Sequence, residues 1–260
     1  MNIFHRTVVA AAAILASLSI PDLSAAASSP PVKALNVVLV HGAYADGSSW
    51  SKVIPLLQKA GLHVTSVQNP LTSFSDDVAA TKRALDLQDG PTVLVGHSYA
   101  GMVISETGID PKVTALVYVA ARAPDAGEDY PALTGRFAAP PASKGLVHSG
   151  GFAQLSEEAF VHDFAGDLSH KDAMALYAVQ GRISDKLFAT KTTQAAWKTK
   201  PSWYAVSKND RTTNPDLERF LAKRMDATTV ELNSSHVSLI SHPREIANLI
   251  LAAAGYPVKH

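Results

Sequence analysis

Short stretches in which nearly every position is apolar or β-branched recur along this chain, separated by segments with helical spacing. Stretches that are apolar on both faces are typical of strands buried inside a parallel sheet. They lie at residues 36–40, 62–67, 92–95, 113–119, 202–206 and 228–232. Their alternation with helices predicts an α/β fold whose doubly wound, mostly parallel sheet has six strands.

The segments with helical spacing carry typical start and stop residues. They lie at 50–60, ended by Gly61; at 76–87, capped by Ser75; at 99–107, ended by Gly108; and at 215–225, after Asn214. The alternation stops near residue 121 and resumes near residue 200, with helical patches between these points but no convincing strand. We therefore expect a helical cap inserted at about 122–200 of a domain spanning 36–260.

The N-terminal segment has the layout of a secretory signal peptide. Arg6 supplies a positive charge, residues 7–20 are apolar, and small residues lead up to Ala27. The apolar stretch is shorter than the roughly 20 residues that span a membrane, although an uncleaved anchor is the alternative. We expect residues 1–27 to be removed, residues 28–35 to form a linker, and the mature protein to be secreted or periplasmic without membrane contact.

Composition excludes several classes of function. The 23 basic and 23 acidic residues give a net charge of +0, so no broad field would attract nucleic acid or anionic lipid. The absence of cysteine excludes disulfides, thiolate metal sites and a cysteine nucleophile. No two histidines have the spacing of a zinc motif, so we expect neither a metal nor another cofactor. The expected partner is a small molecule.

A candidate nucleophile follows the third apolar stretch. The sequence Gly96-His97-Ser98-Tyr99-Ala100-Gly101 links the predicted strand directly to a helical segment. A serine at such a sharp turn projects its hydroxyl above the sheet, and the turn requires small residues on either side. Gly96 and Ala100 meet this requirement, so we predict that Ser98 is the nucleophile. The alternative is a strand-to-helix turn in which the serine is incidental.

A candidate oxyanion hole follows the first apolar stretch. His41-Gly42-Ala43 ends the strand, and Gly42 allows the backbone to come close to a reacting group. Two backbone donors are needed to hold the negative oxygen of a tetrahedral intermediate. We predict that they are the N–H groups of Tyr99, which follows Ser98, and of Ala43. The alternative is that the glycine only makes a turn.

The serine needs an imidazole base, and position along the chain separates the histidines. His236 lies just beyond the last predicted strand, where a loop can reach the carboxyl edge of the sheet. We therefore predict that His236 is the base. The competitor is His242, which lies beside Pro243 and fits the first turn of the final helix better.

The base in turn needs a carboxylate that fixes its tautomer. Asp210 follows the fifth apolar stretch and gives the chain order Ser, Asp, His. Asp125, just beyond the fourth stretch, is a second position from which an acid could reach the histidine. We predict Asp210, with Asp125 as the alternative.

With these residues placed, the chain resembles the α/β-hydrolase superfamily, in particular its branch of plant methyl esterases, hydroxynitrile lyases and related bacterial esterases. The resemblance implies an α/β-hydrolase fold that lacks a first antiparallel hairpin and carries a helical cap. Lyases of this branch have a threonine after the first strand and a lysine behind the catalytic histidine. Gly42 and Val237 stand there, which favours hydrolysis. The resemblance is carried by His41, Gly42, Ala43, Gly47, Trp50, residues 96–101 and 120–125, Asp210 and His236.

The expected function is that of a serine hydrolase that cleaves a carboxylic ester of a small hydrophobic substrate through an acyl-enzyme. A lactonase or an amidase with the same triad is the first alternative. A ligand-binding protein that keeps the triad but turns over slowly is the second. Apolar residues in the predicted cap favour a substrate with a hydrophobic part.

Overall fold

The computed structural model describes residues 33–258. The strands, in chain order, are β1 (Asn36–Val40), β2 (His63–Val67), β3 (Thr92–His97), β4 (Val113–Val119), β5 (Leu146–Ser149), β6 (Phe152–Leu155), β7 (Ile183–Ser184), β8 (Ser202–Ser207) and β9 (Thr228–Leu232). The helices are α1 (Ile54–Lys59), α2 (Phe74–Asp86), α3 (Ala100–Thr107), α4 (Tyr130–Thr134), α5 (Glu157–Ala159), α6 (His170–Ala178), α7 (Pro215–Arg224), α8 (Ser238–Ser241) and α9 (Pro243–Ala253). A π-helical turn, Phe160–Phe164, continues α5.

The main sheet confirms the predicted α/β architecture. Its six strands are all parallel and lie in the order β2-β1-β3-β4-β8-β9. Every residue of β1 and β3 is buried, because helices cover both faces of the sheet centre. The edge strands β2 and β9 are partly exposed, since each has a neighbour on only one side.

The strand order places the candidate site. From β1 the chain moves outward to β2 and then returns to pair β3 on the other side of β1. The ends of β1 and β3 are adjacent, with Val40 aligned with Gly96, and the loops that follow these strands lead away in opposite directions. Ligands of open parallel sheets bind in such a crevice at the carboxyl edge.

The segment between β4 and β8 contains more than helices. Besides α4, α5 and α6 it carries a three-stranded antiparallel sheet in the order β5-β6-β7, which the sequence analysis did not predict. Gly150 and Gly151 join β5 to β6, and both have positive φ, 61° and 79°. Two residues with positive φ make the tight turn that matches the twist of a hairpin. The insertion therefore has the helices expected of a helical cap and, in addition, a small sheet where no convincing strand was expected.

Two local boundaries also differ from the prediction. The side chain of Ser73, and not Ser75, accepts the N–H of Asp76 and caps α2. Ala34 is buried and its N–H donates to Ala254 O at 2.9 Å, so the folded body begins before the predicted end of the linker. The predicted signal peptide, residues 1–27, and the first part of the linker lie outside the described residues.

No helix within residues 33–258 has both the length and the apolar character needed to cross a membrane.

Candidate active site

The turn at Ser98 has the geometry of a nucleophile elbow. Ser98 has a φ of 54°, a left-handed conformation that is rare for a residue with a side chain. Hydrogen bonds to the neighbouring strand and to the next segment hold it there. The Ser98 N–H donates to Val119 O, and Ser98 O accepts the N–H groups of Gly101 and Arg122, each at 3.0 Å. The serine is partly exposed while its neighbours in the turn are buried.

Small residues around the elbow are a steric requirement. A Cβ atom on Gly96 would lie 2.9 Å from Ala100 O, and one on Gly101 would lie 1.8 Å from Arg122 O. Both obstacles are backbone atoms, which cannot rotate away. Ala100 stands where a glycine is usual, and its backbone carbonyl is the group that leaves no room for a side chain on Gly96.

We expect Gly101→Ala to lower the free energy of unfolding by about 3 kcal/mol, because the added methyl group collides with the backbone that holds the elbow. Urea denaturation measures this loss. The control is Gly135→Ala, where the new Cβ would lie 3.4 Å from Pro131 O, an ordinary contact. Equal stabilities of the two variants would disprove the steric argument.

The loop after β1 lies against the elbow. A Cβ atom on Gly42 would lie 2.8 Å from the Cβ of Ser98, so only glycine fits there. His41 holds this loop from behind: its Nε2 accepts the N–H of Asn69 at 2.9 Å, and its Nδ1 donates to Gly42 O at 2.9 Å. Burial lowers the pKa of His41, which keeps this neutral tautomer.

The predicted oxyanion donors border the same space. Ala43 and Tyr99 both line the cavity that contains Ser98. Within residues 33–258 neither backbone N–H donates a hydrogen bond to another backbone group. Both are therefore available to a ligand oxygen. The Tyr99 side chain is held by its hydroxyl, which donates to the Oδ2 atom of Asp77 at 2.8 Å.

The structure brings His236 and Asp210 together. The distance from His236 Nδ1 to Asp210 Oδ2 is 2.5 Å, and both side chains are fully buried. The other carboxylate oxygen of Asp210 accepts the N–H groups of Thr212 and Thr213 at 2.6 and 2.8 Å. Because Nδ1 donates to the carboxylate, the neutral ring carries its lone pair on Nε2. That atom is buried and has no hydrogen-bond partner within residues 33–258, Ser98 included.

The two competing residues occupy other places. Asp125 lies 2.5 Å from Lys198 Nζ and accepts the N–H of Ala126 at 2.7 Å. His242 is the N-cap residue that precedes α9, and its Nδ1 lies 2.9 Å from Ser241 Oγ. Asp210, and not Asp125, is therefore the carboxylate that contacts His236.

A cavity of about 240 Å³ opens at the elbow. Residues of the loops after β1 and β3, Ser98 among them, border the cavity, and the segment between β4 and β8 contributes much of its apolar wall. This volume lies just below the range of roughly 300–1,000 Å³ of small-molecule sites, so it fits a small ligand. The apolar wall includes Phe137, Leu146, Leu155, Ile183 and Phe188.

Comparison with known proteins places the chain. The model of the alpha/beta hydrolase family matches residues 37–249. The chain belongs to the alpha/beta hydrolase family. This membership confirms the fold class and the superfamily that the sequence motifs indicated.

Several relatives of this alpha/beta hydrolase are esterases. A carbendazim hydrolyzing esterase of Nocardioides sp. (strain SG-4G) is 34% identical over 133 residues, which cover 45% of this chain and 53% of that protein. Methylesterase 8 of Arabidopsis thaliana is 24% identical over 241 residues, 84% of this chain and 88% of that protein. The crystal structure of polyneuridine aldehyde esterase shares the fold with a TM-score of 0.70 at 20% identity, over 84% of this chain and 98% of that one. The two sequence relatives support ester hydrolysis as the general activity of the chain, and the solved structure shows the shared fold.

A second histidine of this alpha/beta hydrolase contacts the backbone of His236. The Nε2 atom of His97, in the elbow, lies 3.0 Å from the backbone carbonyl of His236, and therefore carries the proton that it donates. Burial, and next the neighbouring His236, hold the pKa of His97 well below its usual value. A neutral His97 thus ties the nucleophile turn to the histidine loop.

The cap is attached to the same loop. Asp167 accepts two hydrogen bonds from Ser235, from the backbone N–H at 3.0 Å and from the hydroxyl at 2.5 Å. Ser235 directly precedes His236. The cap of this alpha/beta hydrolase therefore helps to place its histidine loop.

A second carboxyl group lies behind Asp210. Glu218 of α7 is fully buried, and its Oε2 accepts the N–H of Ser207 at 2.9 Å, whereas Oε1 has no partner within residues 33–258. Burial, and next the negative charge of Asp210, raise the pKa of Glu218 well above its ordinary value. In this alpha/beta hydrolase, a buried carboxyl group whose raised pKa favours its protonated form thus lies close to Asp210.

This burial has a consequence for stability against pH. Below the ordinary pKa of a glutamate both the folded and the unfolded chain are protonated at Glu218. As pH rises, the unfolded chain loses this proton while the folded chain keeps it. The stabilising contribution of Glu218 therefore decreases until the pH reaches the raised pKa of the folded chain.

We expect Glu218→Gln to gain stability relative to wild type as pH rises from about 5 to 8, measured by urea denaturation. An exposed control, Glu245→Gln, is expected to show no such trend. A Glu218→Gln difference that is constant with pH would refute a neutral Glu218.

Sequence analysis missed Glu218 and Arg122. For Glu218 a signal exists: Leu221 and Ala222, one turn along α7, are buried on the same face, so helical spacing puts the glutamate inside. For Arg122 the signal is its position directly beyond a buried strand, at the edge where this alpha/beta hydrolase has its cavity.

Proposed function

We propose that this alpha/beta hydrolase cleaves a carboxylic ester of a small, partly hydrophobic substrate by way of an acyl-enzyme on Ser98. In this reaction His236 takes the proton of the Ser98 hydroxyl as the oxygen attacks the ester carbonyl. The protonated imidazole, stabilised by Asp210, then gives the proton to the leaving alcohol. Water, activated by the same histidine, hydrolyses the acyl-enzyme and releases the acid.

The observation that carries the proposal is the buried pair of His236 and Asp210. A carboxylate 2.5 Å from Nδ1 fixes the tautomer that a base needs, and no partner within the described residues competes for Nε2. The amides of Ala43 and Tyr99 would receive the negative oxygen, and each such donor contributes about 3 kcal/mol to transition-state stability.

Steady-state hydrolysis of p-nitrophenyl butyrate tests the proposal. We expect many turnovers per chain at a constant rate after mixing. A single burst that is stoichiometric with protein would instead support a ligand-binding protein with slow turnover. The anilide analogue and γ-valerolactone, assayed alongside, distinguish an amidase or a lactonase from an esterase.

We further propose that the protein is exported and that the segment 1–27 is its signal peptide. The arrangement of Arg6, the apolar stretch and the small residues before Ser28 supports this. Fractionation of cells that express the full chain, with N-terminal sequencing of the product, tests it. A cytoplasmic protein that keeps Met1 would refute export.

A further inference from the structure

A charged side chain reaches the Ser98 cavity from the end of β4. Arg122 lines the cavity and is partly exposed. Its backbone N–H donates to Ser98 O at 3.0 Å, so this residue is held directly beside the elbow. Its guanidinium lies 5.2 Å from the ring centroid of Tyr130, which lines the same cavity. The arginine is thus built into the site.

The guanidinium of Arg122 has no acidic partner among the described residues. Within residues 33–258 no carboxylate oxygen lies within 4.0 Å of its nitrogen atoms. Its Nη1 donates to the sulfur of Met102 at 3.7 Å, and a thioether is a weak acceptor. By contrast, Arg224, which donates to the backbone carbonyl of Ala123, is paired with an acid: its Nη1 lies 2.7 Å from Glu128 Oε1.

The cavity around Arg122 carries no compensating charge. Among the described residues that line it, Arg122 is the sole one with a charged side chain. A cation in a cavity with apolar walls is stabilised when a ligand supplies the opposite charge. A carboxylate matches the planar guanidinium in charge and in shape, because its two oxygens accept two parallel hydrogen bonds.

We infer that the ester substrate carries a free carboxylate, which binds to Arg122 while its ester carbonyl faces Ser98. This inference rests on the proposed function and narrows its substrate class. Arg122 is then a specificity-determining residue that stabilises substrate and transition state alike, so its loss raises KM rather than lowering kcat.

The experiment compares two matched pairs of esters in a pH-stat. One pair, monomethyl glutarate and methyl pentanoate, differs by a carboxylate on the acyl side. The other, 4-acetoxybutanoate and butyl acetate, differs by a carboxylate on the alcohol side. We expect wild type to prefer the charged member of one pair, which identifies the side, and Arg122→Met to raise the KM for that member about tenfold or more.

Two variants serve as controls. Arg122→Lys keeps the charge and is expected to restore part of the preference. Arg136→Met removes an arginine that also lies over an aromatic ring, 5.5 Å from the centroid of Phe220, but does not line the cavity. It is expected to leave KM unchanged. Because Arg122 is partly exposed, added salt screens its attraction to the substrate carboxylate and is expected to raise the KM for the charged ester.

The outcomes separate this inference from the proposed function. If wild type hydrolyses neutral and charged esters equally and Arg122→Met changes neither KM, the carboxylate site is refuted while the esterase stands. If Arg122→Met lowers kcat for both esters alike, the arginine acts on the reacting oxygen and the site is again refuted. If no ester is hydrolysed, the proposed function fails. Calorimetric titration of Ser98→Ala with glutarate then still decides the site, since binding that Arg122→Met abolishes supports it and equal or absent binding refutes it.

Discussion

Replacement of Ser98 by alanine is expected to lower kcat for p-nitrophenyl butyrate by about 10⁴-fold or more, because the acyl-enzyme can no longer form. The remaining rate over water would come from the oxyanion donors and from binding alone. The fold is expected to persist, since the bonds that hold the turn are made by the Ser98 backbone. Initial rates, with circular dichroism as a check on folding, measure the effect.

The matched control is Ser143→Ala. Ser143 lines the same cavity, but it lies in the cap and its hydroxyl donates to Pro140 O at 2.7 Å. We expect this variant to retain the wild-type kcat. A Ser98→Ala protein that still turns over at the wild-type rate would show that another group attacks the ester.

Asp210→Asn is expected to lower kcat by about 10³- to 10⁴-fold while the protein stays folded. An amide in place of the carboxylate leaves the shape of the site nearly unchanged. However, it favours the wrong tautomer of the His236 imidazole and supplies no negative charge to stabilise the imidazolium. The effect is expected in kcat rather than in KM, because the lost interaction strengthens only in the transition state.

Asp125→Asn provides the comparison for this variant. Asp125 is the acid that the sequence left as an alternative, and in the structure it pairs with Lys198. We expect its kcat to stay within about twofold of wild type, since exposed ion pairs contribute little. If Asp125→Asn lowered kcat far more than Asp210→Asn, Asp125 and not Asp210 would be the acid that supports catalysis.

The main sheet could be predicted because its central strands are apolar on both faces, which leaves a continuous signal in the sequence. The predicted stretch 36–40 coincides with β1, and 113–119 coincides with β4. Ser98 could be found for a related reason: an elbow needs small residues at fixed offsets directly after a strand. Asp210 and His236 followed from their positions beyond β8 and β9.

Features made by contacts across the fold could not be predicted in this way. The hairpin of β5 and β6 is short and partly exposed, so its pattern is weak, although Gly150-Gly151 is a visible turn signal. That Arg122 has no carboxylate partner within residues 33–258 depends on where each carboxylate of that part of the folded chain lies. The raised pKa of Glu218 likewise depends on its burial in the folded chain and, next, on the nearby charge of Asp210.

The central claim is that the His236–Asp210 pair activates Ser98 in particular among the serines of the chain. Labelling with a fluorophosphonate, followed by intact-mass analysis and peptide mapping, tests it most directly. We expect one adduct per chain, located on Ser98, and we expect His236→Ala to be labelled much more slowly. An adduct on a different serine, or labelling of Ser98 at the same rate without His236, would contradict it.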